Sequence, residues 1–155
     1  MISQFIYSIL NFAASKGLAE ARTEASAKHR ARKTGVRGET YAYWYLRHQG
    51  YIVIARNFTV PGMKGELDIV GYDGPMLAFV EVKTRAAAPL GQSRPEDAVN
   101  PEKRRNLTRM ARQFLRARRL DNTDWRFDVL AIETSLGQKP SVRLHKAAFG
   151  EEKYS

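Results

Sequence analysis

The chain has 155 residues, 43% hydrophobic and 27% charged, which fits one globular domain with a sizeable core and excludes full disorder or a fibrous repeat. Twenty-six Lys and Arg against 16 Asp and Glu leave a formal charge of +10, favouring a polyanionic partner, nucleic acid first and anionic membrane as the competitor. The absence of cysteine excludes disulfides, Cys-ligated zinc, iron-sulfur clusters and thiol catalysis, and is compatible with a cytoplasmic location.

Met1 to Phe12 carries Ile2, Phe5, Ile6, Ile9 and Leu10 at helical spacing with no charged side chain. The segment is too short to cross a bilayer, and its first basic residue, Lys16, follows the apolar run instead of preceding it. A small amphipathic helix that docks on the domain or on a partner is therefore favoured over a removed secretory signal. From Lys28 to Arg37 there are five Lys or Arg and no acid, so residues 1–34 read as a basic arm and residues 35–155 as the domain.

Glu39 to Gln49 reads as a helix closed by Gly50, and Tyr51 to Phe58 as a strand. Glu66 to Tyr72 and Met76 to Thr84 flank Asp73-Gly74, a tight-turn dipeptide, and should pair antiparallel. A long helix follows from about Pro101 to Arg119, with Asn100 as its cap. Trp125 to Glu133 is the next strand, and Ser141 to His145 a short last one. This order predicts an α/β architecture, a mixed sheet with helices on its faces.

The chemistry concentrates in the hairpin. With a tight two-residue or four-residue loop, Asp68 faces Phe79 and Glu66 faces Glu81, so Glu66, Asp68, Glu81 and Lys83 emerge on one side. Like charges opposed on apolar strands are unfavourable unless neutralised, and a divalent cation on oxygen ligands would do so. Glu39 shares a helical stripe with Ala42, Tyr43 and Leu46, a plausible sheet-facing side, whereas Tyr41, Trp44 and Tyr45 fall opposite. Such a set suggests metal-assisted phosphodiester hydrolysis, with carboxylates holding Mg²⁺ and a lysine near the attacking water. The same acids also fit a solvated face balanced by Lys64, Lys83 and Arg85.

The segments Gly38-Glu39, Gly65-Glu66-Leu67-Asp68-Ile69-Val70 and Phe79-Val80-Glu81-Val82-Lys83-Thr84-Arg85 resemble the bacterial YraN family, small proteins similar to archaeal Holliday junction resolvases. The resemblance covers about residues 35 to 146 and has no counterpart for Met1 to Thr34. It implies a restriction-endonuclease-like core and a Mg²⁺-dependent (or Mn²⁺-dependent) structure-selective DNA endonuclease. On that resemblance Glu39 is the helix acid, Asp68 and Glu81 bind metal, and Lys83 is the catalytic lysine. Branched DNA is the implied substrate, and two-fold resolvases make a homodimer the analogous assembly.

Two further features bear on function. Asp128 interrupts an apolar strand, where it either supports the site or pairs with Arg126 or a helix terminus. In the long helix Leu107, Met110, Ala111, Phe114 and Leu115 form one stripe, with Arg105, Arg109, Arg112, Arg116 and Arg119 opposite. Only Glu102 offsets eight basic residues between Lys103 and Arg119, so Arg105, Arg109, Arg112 and Arg116 are candidate phosphate contacts. His29, His48 and His145 show no zinc-site spacing. The rival to an enzyme is a non-catalytic module that holds nucleic acid or recruits a partner through the arm.

Overall fold

The computed structural model describes Ser8 and residues 27–86, 99–135 and 137–150. Apart from Ser8, the amphipathic segment expected at Met1 to Phe12 lies outside these residues, as does the first part of the basic arm. Helix α1 runs Ala27–His48 and so begins well before the expected Glu39, crossing the division placed at residue 34 from composition. The added stretch is rich in Ala, Lys and Arg, all strong helix formers, so a basic composition does not of itself end a helix. Gly50 closes it at φ 93°, with Gly50 N–H donating to the Arg47 carbonyl and Tyr51 N–H to the Leu46 carbonyl, the paired bonds of a Schellman cap.

Five strands follow: β1 (Ile52–Phe58), β2 (Leu67–Asp73), β3 (Met76–Ala86), β4 (Trp125–Thr134) and β5 (Ser141–Phe149). They form one mixed sheet in the order β1-β2-β3-β4-β5. Only β3 and β4 are parallel, and helix α2 (Pro101–Arg118) lies in the crossover that such a pair requires. The α/β architecture, a five-stranded mixed sheet with two helices, is consistent with a restriction-endonuclease-like core.

Each helix closes one face of the sheet. Against the first, Leu107, Met110, Ala111, Phe114 and Leu115 of α2 bury with Val70, Phe79, Phe127 and Val129, as the apolar stripe predicts. Asn100 caps α2 by accepting from Lys103 N–H at 2.8 Å, and Pro101 opens it. Against the other face, Tyr41, Ala42 and Leu46 of α1 bury with Ile69, Val80, Leu130 and Ile132. Tyr41 therefore faces the core, contrary to the expected stripe, while Tyr43 is only partly buried. Its ring is overlaid by Arg56 at 4.6 Å, so Tyr43 serves as a cation-π flank of the helix.

The hairpin register also differs from the expectation. Asp73 pairs with Met76 and Ile69 with Val80, so the loop is Gly74-Pro75, one residue further on than a turn centred at Asp73-Gly74. Gly74 takes φ 59°, and the ring of Pro75 fixes a negative φ after it, as a type II′ turn requires. Pro75 lacks the N–H needed to pair inside the ladder, which is why the turn moves onto it. β5 extends to Phe149, beyond the expected His145. A register shift opposite Phe127/Val129 and the left-handed Ala147 (φ 51°) let the strand bend and continue.

Candidate metal centre

Asp68 stands at the start of β2, Glu81 and Lys83 near the middle of β3. Side chains alternate along strands, so Asp68, Glu81 and Lys83 share the α2-facing side with Val70 and Phe79. The last ladder pair is Ile69 with Val80. One step further the register sets Asp68 beside Glu81, closer than the diagonal relation expected from sequence. There the side chain takes over from the backbone: Asp68 Oδ2 accepts from Val82 N–H at 2.7 Å.

Glu39 arrives from α1 through Asn57. That residue lies between the β1–β2 pairs Arg56/Ile69 and Phe58/Leu67, opposite Asp68, and adopts a left-handed backbone (φ 49°) that asparagine tolerates better than most residues. Its side-chain amide donates to Glu39 Oε2 at 2.8 Å. Glu66, just ahead of β2, completes the group, and oxygens of Glu39, Glu66 and Asp68 all lie within 4.8 Å of one another.

Glu81 is held differently. It is only 5% exposed, and its Oε1 is shared by two lysines, Lys83 at 2.9 Å and Lys103 from the first turn of α2. Lys103 keeps its proton beyond the ordinary range: burial opposes the charge, but the hydrogen bond and charge of Glu81 outweigh it. Asp68 shows the opposite imbalance. Burial first, then the charge of Glu81, push its carboxyl up to about 7 despite the Val82 N–H and Lys103, with Glu39 adding to the rise.

The donors are all carboxylate oxygens, a set suited to hard cations of the Mg²⁺ and Mn²⁺ kind. Cis ligands at ~2.1 Å from one octahedral ion lie about 3.0 Å apart. Carboxylate oxygens within 4.8 Å of one another could reach that spacing by side-chain rotation as they take up an ion. Glu39, Glu66 and Asp68 could hold a metal, and an ion there would offset both the burial and the neighbouring negative charge that raise the Asp68 carboxyl.

Of the residues expected from sequence, Glu39 and Asp68 meet directly, Glu81 and Lys83 pair with each other beside them, and Arg105, Arg109, Arg112 and Arg116 line the exposed side of α2. Sequence reasoning misses three members of the site. Spacing puts Glu66 on the acidic face without marking it as a ligand; Asn57 and Lys103 carry no local signal, because they join the site only through the β1–β2 register and the docking of α2. Asp128 is fully buried and bonded to Arg126 Nε at 2.8 Å, Tyr51 Oη at 3.2 Å and Ala147 N–H at 2.9 Å, the buried pair with Arg126 that is one of its two readings.

Residues 38–132, which carry all four of Glu39, Asp68, Glu81 and Lys83, match the uncharacterised protein family UPF0102. The chain is 44% identical over 117 residues to a UPF0102 protein of Koribacter versatilis (strain Ellin345), covering 76% of this chain and 79% of that one. It is 37% identical over 121 residues to one of Dehalococcoides mccartyi, covering 78% and 96%. A UPF0102 protein of Solibacter usitatus (strain Ellin6076) is 42% identical over 112 residues, covering 72% and 82%. The chain belongs to the UPF0102 family, also called YraN. Among the described residues, no helix is long and apolar enough to cross a membrane.

Proposed function

We propose that this UPF0102 protein is a Mg²⁺- or Mn²⁺-dependent endonuclease that hydrolyses DNA phosphodiester bonds, branched DNA included. The observation that carries the reading is the convergence of Glu39, Glu66 and Asp68 within 4.8 Å beside a buried Glu81 that gathers two lysines. A solvated acidic face would spread its charge, whereas here burial first and then the charge of Glu81 push the Asp68 carboxyl up to about 7. A bound divalent cation would polarise the phosphate and activate water for attack.

Every other role falls to the chain's own side chains. Glu39, Glu66 and Asp68 hold the cation, and Asn57 aims Glu39. Glu81 fixes Lys83 and Lys103 where negative charge grows on the phosphate in the transition state. The Asp68, Glu81-x-Lys83 pattern, similar to that of archaeal Holliday junction resolvases, supports a structure-selective nuclease, and a homodimer belongs to the same reading. The formal charge of +10 supports a nucleic-acid substrate.

One observation favours a second reading, a non-catalytic binding module: the two lysines already neutralise Glu81 without any metal. Cleavage of a panel of branched and linear DNAs with Mg²⁺ or Mn²⁺, run beside Asp68→Asn, separates the two. Metal-dependent cleavage that disappears in Asp68→Asn supports the enzyme, and no cleavage of any substrate supports the module.

A further inference from the structure

We infer that the cleft between the β1–β2 loop and the first turns of α2 seats the phosphodiester backbone of the DNA strand beside the metal centre. Lys64 would grip it from one wall, and Arg105 and Arg109 from the other. The inference deepens the proposed function and rests on it for the identity of the strand.

The cleft encloses about 520 Å³ and is lined by Lys64 and Gly65 on the loop side and by Lys103, Arg105 and Arg109 on the helix side. Asn106 clamps the two walls: its Nδ2 donates to the Lys64 carbonyl at 2.6 Å, which fixes the loop while leaving the Lys64 side chain to the cleft. Gly65 leads directly into Glu66, and Lys103 pairs with Glu81, so the cleft shares two of its lining residues with the immediate neighbours of the acidic group. Carboxylates repel a phosphate strand, and a strand brought there needs cations immediately alongside. Four cations line the cleft against one acid, Glu102, and of the four only Lys103 is committed to Glu81.

The distribution suits a strand better than a lone phosphate. Arg105 and Arg109 stand about 6 Å apart along the helix axis, so they address different phosphates instead of converging on one. Apart from Glu102, the side chains that line the cleft end in ammonium, guanidinium and amide groups, which suit a phosphate backbone. The lining stops at Arg109, although Arg112 and Arg116 continue the same exposed face of α2. The arginine row therefore divides, its first two members working with Lys64 and its last two lying beyond the cleft.

Fluorescence anisotropy of the full chain, without divalent metal so that nothing is cut, tests this on a labelled linear duplex and a labelled single strand across a range of salt. Lys64→Ala and the double variant Arg105→Ala/Arg109→Ala should weaken binding, and the salt slope should flatten by about 0.7–0.9 for each phosphate no longer neutralised. Arg116→Ala should flatten it by less than half as much as either. All keep the apolar stripe of α2, and matching thermal unfolding checks that they fold. Wild-type slopes in the cleft variants would overturn the proposal, as would an Arg116→Ala effect equal to theirs, no binding by the wild type, or tighter binding of a single-stranded RNA of the same sequence. Failure of the nuclease reading shows separately, as a wild type that binds through the cleft yet cuts nothing in Mg²⁺.

Discussion

Gly38 of α1 sits directly against Thr84 of β3: a Cβ at position 38 would fall inside the van der Waals envelope of Thr84 Oγ1 and 3.0 Å from Thr84 Cβ. This close fit lets α1 approach the sheet closely enough for the next residue, Glu39, to reach Asn57 and the acidic group.

Gly38→Ala tests that fit because two effects oppose each other. Replacing a mid-helix glycine by alanine normally stabilises by roughly 0.5–1 kcal/mol, whereas overpacking costs about 1–3 kcal/mol. The clash should win, giving net destabilisation in urea unfolding. Thr84→Ala removes Oγ1, a buried atom with no hydrogen-bond partner, so the double variant should recover part of the loss.

The raised Asp68 pKa sets a direction for stability against pH. Its folded value of about 7 lies above the ordinary 3.8, so the native state favours the protonated carboxyl. That contribution is fully present below the unfolded value and is lost as pH rises through 7. The metal-free protein should lose about 1–3 kcal/mol between pH 5 and pH 8.5, allowing for the partial solvent contact of Asp68. Asp68→Asn mimics the protonated form, and should flatten the dependence and be the more stable protein at pH 8.5. Urea midpoints at the two pH values measure both.

Much of this was legible in the sequence. The apolar stripe of α2, its Asn100-Pro101 start and the alternation that puts Asp68, Glu81 and Lys83 on one face follow from local periodicity, and the structure has them as read. What failed depended on non-local choices. The hairpin turn moved to Gly74-Pro75 because proline cannot pair in the ladder, and α1 turned Tyr41 inward because its aromatic residues surround the helix and only packing selects a side. Glu66, Asn57 and Lys103 joined the site through tertiary register, which no spacing along the chain displays.

Lys103 puts a positive charge beside Asp68, where the proposed cation would sit. Lys103→Ala should therefore tighten Mg²⁺ binding severalfold, because one repelling charge is removed. The same change should lower turnover by removing positive charge from the transition state. Calorimetric titration and single-turnover cleavage measure the two effects, which point in opposite directions.

Asp128 should matter to the fold and not to the metal. Asp128→Ala takes the buried acceptor from Arg126, Tyr51 and the Ala147 N–H while Arg126 keeps Asp73, a loss of about 1–3 kcal/mol, whereas the network lies on the Tyr51 side, away from Glu39, Glu66 and Asp68. Thermal unfolding should show a large drop in midpoint, with the Mg²⁺-induced increment of wild type retained.

Calorimetric titration of the full chain with Mn²⁺ and Mg²⁺, with and without DNA, tests the central claim most directly when wild type is set beside Asp68→Asn and Glu39→Gln. Both variants keep side-chain shape while removing the charge that would hold the ion. The account expects the wild type to bind a divalent cation, both variants to lose at least tenfold in affinity, and cleavage to disappear with it. Indistinguishable titrations for all three proteins, with and without DNA, would contradict it.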